Sequence, residues 1–180
     1  MSRETVVRTD AGDIVVRRHT AITVHRVGFA PTPWQWTDWA YAEDGRFDGR
    51  WDDPGGSWRT LYVGETRLAC LLELLARFRP SSRVSDDLDA AAIRDARPRT
   101  LTRGIASWLH GVTDVDDVPL DGIEFASRHG DDLTLWAIFE RSRDGDVSAI
   151  LAPRFDNAGL GTGDADLNRA MELLGLRWAD

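Results

Sequence analysis

Apolar residues fall along this chain in short blocks, and the period within each block predicts a mixture of strands and helices. Residues 13–16 and 21–27 are short runs rich in Ile, Val and Thr, which predicts two strands. Residues 59–63 predict a third. Thr66 can then cap a helix through Arg79, in which Leu68, Leu71, Leu72, Leu75 and Phe78 recur at helical spacing. Pro80 and the serines after it end that helix. Ser85 caps a second expected helix over residues 86–96, and residues 103–110 form a third, shorter one. Residues 121–126 and 147–152 read as strands. Residues 133–140 are apolar at consecutive positions, which leaves strand and helix both open. Residues 166–174 close the chain as an amphipathic helix, with Gly175 as its stop.

The stretch over residues 31–58 breaks this rhythm. It sets Trp34, Trp36, Trp39, Trp51 and Trp58 among Gly, Pro and Asp, and predicts a long structured loop with one short helix at most. Packing in a core or lid is the ordinary role of so many tryptophans. Lining a ligand cleft or meeting a protein partner is the sharper alternative. Strands and helices mix without strict βαβ alternation, so the expected class is α+β, in a single domain over residues 1–180.

Composition narrows the function. With 180 residues, 42% apolar and 29% charged, the chain can bury a core, which excludes disorder over its whole length. The net charge of −8, with no basic stripe, argues against a nucleic-acid partner. All 22 basic residues are Arg, so lysine nucleophiles and Schiff bases are excluded. Cys70 is the single cysteine, which excludes an internal disulfide and a cysteine-rich zinc site and points to a reducing compartment. His19, His110 and His129 show no metal-ligand spacing, and no metal is expected. The polar start of the chain and the lack of a bilayer-length apolar run predict a cytoplasmic protein with no membrane association.

Five polar residues stand where packing alone does not explain them. Arg26 follows a strand in Val24-His25-Arg26-Val27-Gly28. Arg50 lies in Gly49-Arg50-Trp51-Asp52. Tyr62 sits within Thr60-Leu61-Tyr62-Val63. Glu73 interrupts the apolar helix in Leu71-Leu72-Glu73-Leu74-Leu75. Ser127 ends Gly122-Ile123-Glu124-Phe125-Ala126-Ser127.

In this order and spacing, over residues 22–140, the segments resemble the RES-domain family, named for its Arg, Glu and Ser. An early Arg after a strand, a Gly-Arg-Trp turn, a strand with Tyr, a helix with Glu and a Gly-Ile-x-(aromatic)-x-Ser segment carry the resemblance. Val27 departs from it, since the family often has an aromatic residue there. The resemblance implies a fold similar to ADP-ribosyltransferases, with mixed or antiparallel sheets, flanking helices and a cleft for NAD. It implies cleavage of the nicotinamide–ribose bond by a toxin, acting as an NAD phosphorylase with inorganic phosphate as co-substrate or as a glycohydrolase. A protein ADP-ribosyltransferase using the same cleft and a non-catalytic NAD-binding module are the alternatives. The implied partner is a cognate helical antitoxin of the Xre type.

The chemistry of each residue fits that implication. Breaking an N-ribosyl bond builds positive charge on the sugar, which a carboxylate stabilises; Glu73 is the candidate, against a solvated helix residue. Arg26 and Arg50 offer planar forks for a pyrophosphate, against ordinary surface ion pairs. Tyr62 could stack on nicotinamide, against core packing. Ser127 could donate to a ligand oxygen, against simply ending a strand. The assignment is therefore Glu73, Arg50 and Tyr62 in catalysis, with Arg26, Arg50, Tyr62 and Ser127 binding NAD.

Overall fold

The computed structural model describes residues 2–29, 31–78, 99–127, 129–154 and 159–179. It is an α+β structure of antiparallel sheets and helices. Strands β1 (Ser2–Thr9) and β2 (Gly12–His19) form a separate hairpin, and β3 (Thr60–Gly64), β4 (Gly122–Ser127) and β5 (Gly130–Phe139) form a three-stranded sheet in the order β3-β5-β4. Helices α1 (Arg67–Leu75), α2 (Arg99–His110) and α3 (Ala165–Leu174) and short 3₁₀ turns at Trp39–Tyr41 and Ala76–Phe78 complete the described elements.

β5 settles the ambiguous run as a strand. It is the central strand of the sheet. Core packs on both of its faces, so the sequence loses the alternation that marks a half-buried strand. Ala137 and Phe139 pack with Trp51, Trp58 and Ala106 of α2 on one face. Ile138 packs with Leu61, Val63 and Trp36 on the other. The tryptophans of the long loop are thus divided between the two faces. Trp36 is core on the face opposite Tyr62, while Trp39 lies against Phe47 with ring centroids 5.3 Å apart.

α1 begins where Thr66 accepts a hydrogen bond from the Ala69 amide. It ends earlier than the sequence predicts, in a 3₁₀ turn over Ala76–Phe78. Leu71 and Leu72 pack on Leu167, Ala170 and Leu174 of α3. α3 starts at its cap Asp164, which also pairs with Arg67, and stops at Gly175 in the left-handed conformation (φ 68°) that glycine adopts without strain. α2 begins four residues before the predicted start.

Three expectations are corrected. Residues 2–9 form β1, which the sequence analysis leaves as a polar tail. Its Glu4 is paired across the hairpin with Arg17 of β2 at 2.6 Å, and Arg17 also reaches Glu124 of β4. Residues 21–27 are not a strand. Ala21 has a positive φ of 54°, and pairing is limited to one bridge between His25 and Gly64. Continued pairing would set Val27 opposite Tyr62, where the Arg26 guanidinium instead takes the outward-facing Tyr62 carbonyl. Residues 147–152 are likewise reduced to a single bridge, Gln35 with Val147. The helix expected over residues 86–96 lies outside the described residues.

Candidate active site

β4 is an edge strand of the sheet; its Ile123 and Phe125 pack on the face that carries Trp51 and α2, and its last residue reaches α1. A register irregularity between Ala126 and Ser127 turns the strand end, and Ser127 is buried there. The Ser127 hydroxyl donates to Glu73 Oε2 at 3.1 Å and accepts from the His129 amide at 3.1 Å. His129 Nε2 lies 4.0 Å from the same carboxylate oxygen. Glu73 is half-buried on the side of α1 turned away from Leu71 and Leu72. It is therefore neither a core residue nor a fully solvated one.

Two residues back along β4, Phe125 shares this face, about 7 Å from Ser127. The Arg50 guanidinium carbon lies 5.8 Å from the Phe125 ring centroid and 5.1 Å from that of Trp51. Such stacking orients a guanidinium through attraction to the ring faces and leaves its edge for other partners. Arg50 Nε is buried and has no hydrogen-bond partner among the described residues.

Tyr62 lies on the same sheet face, opposite Ala137 in the β3–β5 pairing, and Ala137 is opposite Ile123. Its ring packs at the edge of the Trp51 and Trp58 cluster. Its hydroxyl accepts from the Trp51 amide at 2.9 Å and donates to Asp52 Oδ1 at 2.9 Å. Burial, and after it the neighbouring Asp52 carboxylate, pushes the phenol well above its ordinary pKa. Tyr62 therefore remains a neutral donor and acceptor.

Arg26 stands apart from the other four. Its Nε donates to the Pro33 carbonyl at 2.5 Å, and one terminal nitrogen donates to the Tyr62 carbonyl at 2.9 Å. Burial lowers its pKa to about 10. Two of its donors are engaged with backbone, and they tie Arg26 and Pro33 to the outer edge of β3. Cys70 is close by; its thiol donates to the His25 carbonyl at 3.1 Å, and burial raises its pKa to about 11, which makes it a packing residue and not a nucleophile.

The five residues singled out in the sequence thus fall into three sets. Glu73 and Ser127 touch, Arg50 and Tyr62 meet around Trp51 with Phe125 stacked beside them, and Arg26 holds the edge of β3. Sequence reasoning missed Asp52, His129 and Phe125. Phe125 is the aromatic of the Gly-Ile-x-(aromatic)-x-Ser segment. Asp52 and His129 carry no signal before the fold brings them in. Two surface hollows lie away from this cluster, one lined by Arg3, Arg18 and Asp114 and the other by His19, Glu65 and Trp136. Among the described residues, no group of three or more His, Cys, Asp or Glu is placed to hold a metal ion, and no helix is long and apolar enough to cross a membrane.

The model of the RES domain matches residues 23–153, more than half of the chain. The chain belongs to the RES-domain family. The match takes in all five residues above and begins after the β1–β2 hairpin, which lies outside the matched region. Membership gives the coarse functional class, a toxin domain that acts on NAD. No curated protein and no solved structure matches the chain.

Proposed function

We propose that this RES domain consumes NAD by breaking the bond between nicotinamide and ribose, with Glu73 as the carboxylate that stabilises the ribosyl cation. The observation that carries the reading is the Ser127–Glu73 hydrogen bond at 3.1 Å, on the sheet face that also presents the Arg50 guanidinium. A half-buried carboxylate oriented by a serine supplies fixed negative charge, and a stacked arginine supplies the complementary charge for a pyrophosphate.

In the reaction, the C1′–N bond breaks and its electron pair returns to the pyridinium ring, so nicotinamide leaves neutral. Positive charge passes to C1′ and the ring oxygen, where Glu73 offsets it. An acceptor oxygen then forms the new bond to C1′. Phosphate dianion brings an oxygen that is already deprotonated. Water has to lose a proton to solvent or to Glu73. A phosphorylase is therefore the simpler chemistry for a site with one carboxylate in contact with its serine.

Arg50 binds the pyrophosphate in this scheme, and Tyr62 and Arg26 shape the site through the backbone they hold. Ser127 orients Glu73, and this replaces the direct contact with the ligand that its residue type suggests. Family resemblance further supports a cognate helical antitoxin of the Xre type. A single, partly buried thiol fits action in the cytoplasm, where NAD is available.

The test is nicotinamide release from NAD by the purified chain, with and without phosphate, beside a Glu73→Gln control. Release that requires phosphate and Glu73 is expected. Full turnover by Glu73→Gln would remove the assignment. Phosphate-independent release would make the enzyme a glycohydrolase, and release confined to reactions containing a modified protein would make it a transferase.

A further inference from the structure

The turn that carries Arg50 is pinned at four consecutive peptide groups. The Gly49 amide donates to Asp52 Oδ2 at 2.5 Å, and the Gly49 carbonyl accepts from Arg103 Nε of α2 at 3.1 Å. The Trp51 amide donates to the Tyr62 hydroxyl at 2.9 Å, and the Trp51 carbonyl accepts from Thr60 Oγ1 at 3.2 Å. Tyr62 then donates to Asp52 Oδ1, closing a ring of contacts around residue 50. Arg103 also pairs with Asp48, as does Arg99 at 2.9 Å, so two arginines of α2 hold the turn from outside.

Peptide planes are rigid, so fixing the planes on both sides of Arg50 fixes its φ and ψ and the direction in which its side chain leaves the backbone. No space is left for adjustment. A Cβ on Gly49 would lie 2.5 Å from Asp52 Oδ2 and 2.6 Å from the Tyr62 hydroxyl. Stacking on Trp51 and Phe125 directs the far end of the side chain, and its Nε has no hydrogen-bond partner among the described residues. Four hydrogen bonds hold the backbone on either side of Arg50, while its side chain makes few among the described residues, which is the arrangement expected of a preorganised ligand-binding group.

We infer that Asp52 and Arg103 are positioning residues, which together with the Tyr62 hydroxyl clamp the peptide groups flanking Arg50 and aim its guanidinium at the pyrophosphate of NAD. The inference rests on the proposed role of Arg50 in NAD binding. Asp52 acts through both carboxylate oxygens, one on Gly49 and one on Tyr62. Asn has a single acceptor oxygen and can keep only one of these bonds. Arg103 acts through Nε, which Lys lacks, although Lys keeps a cation for Asp48.

ADP-ribose is a suitable probe, because it keeps the pyrophosphate and has no nicotinamide to lose. Its affinity is measured by calorimetry for the full chain and for Asp52→Asn, Arg103→Lys and Arg50→Ala, alone and combined, with circular dichroism to establish folding. Each clamp variant is expected to weaken ADP-ribose binding on the order of 10-fold, as displacement of a positioned group does. In the Arg50→Ala background the same changes should cost nothing more, because they act only through that side chain. KM for NAD should rise more than kcat falls.

Folded clamp variants with wild-type affinity would overturn the inference. Losses that persist undiminished without Arg50 would overturn it too, since they would mark a general structural role. Should Asp52→Asn fail to fold, Arg103→Lys decides the question alone. Wild-type protein that binds ADP-ribose through Arg50 and releases no nicotinamide would remove the proposed turnover and leave the clamp standing. Wild-type protein that binds no ADP-ribose would remove both.

Discussion

Ser127, at the end of β4, donates its hydroxyl proton to Glu73, in the last turn of α1, across 3.1 Å and 54 positions of sequence. The direction of that proton is set by the His129 amide, which occupies the serine oxygen as a donor. The serine is thus an orienting group for a carboxylate. Ser127→Ala should lower kcat for nicotinamide release by roughly 10-fold or more, equivalent to the ~1.5 kcal/mol of a hydrogen bond to a charged group. Stopped assays of nicotinamide release against NAD concentration check this, and an unchanged kcat would contradict it.

Gly49 has no room for a side chain, since any Cβ meets Asp52 and Tyr62. Gly49→Ala should therefore destabilise the fold by about 1–3 kcal/mol, the usual cost of forcing an extra carbon into a packed site. Urea unfolding followed by tryptophan fluorescence reads this directly, because Trp51 and Trp58 are buried beside the turn. A midpoint equal to that of the wild type would show that the turn can relax.

Arg59 and Glu140 join the start of β3 to the end of β5. The Glu140 carboxylate accepts from the Arg59 amide at 3.0 Å, from Nε at 2.8 Å and from a terminal nitrogen at 2.5 Å. The Arg59 hydrogen bond holds the Glu140 carboxyl below its ordinary value of 4.5. A group depressed in the folded state adds stability above its unfolded pKa and loses it as pH falls through the folded one. Chemical denaturation from pH 7 down to pH 3 should show stability falling below about pH 4.5. In Glu140→Gln the protein should be weaker at neutral pH by about 1–3 kcal/mol and should show a shallower acid slope.

His110 stacks on Trp58 with centroids 4.5 Å apart and planes 5° from parallel, and it bonds the Glu140 carbonyl through Nε2 at 3.1 Å. A carbonyl only accepts, so the proton of the neutral ring sits on Nε2. Burial is the main cause that lowers the pKa from its ordinary value of 6.5. The unfolded chain then takes up the proton more readily, so stability declines as pH falls below 6.5 toward the folded value. Melting temperatures between pH 7.5 and 5.5 should fall, and His110→Gln, which keeps a donor without titrating, should flatten that part of the curve. A melting temperature as sensitive to pH in the variant as in the wild type would assign the effect elsewhere.

Local chemistry made part of this protein legible in its sequence. Thr66 and Gly175 bound helices because a cap and a left-handed stop depend on the residue itself, and the apolar spacing of Leu68, Leu71 and Leu72 needs no distant partner to be read. The Gly-Arg-Trp turn, the Tyr strand, the helix with Glu and the Gly-Ile-x-(aromatic)-x-Ser segment were visible as ordered types, and so was the family they belong to. Tertiary structure decided what no local pattern carries. Strand pairing depends on a partner: residues 21–27 have strand composition and form one bridge, while charged residues 2–9 form a full strand because β2 pairs with them and Glu124 accepts Arg17. Core packed on both faces of β5 removed the alternation that would have named it a strand. Contact decided the site in the same way, because Ser127 meets Glu73, Asp52 meets Tyr62 and Arg103 meets Gly49 only once a sheet, a loop and two helices share one face. Residue types set which bonds each group can make, and the fold selects which of those bonds are made.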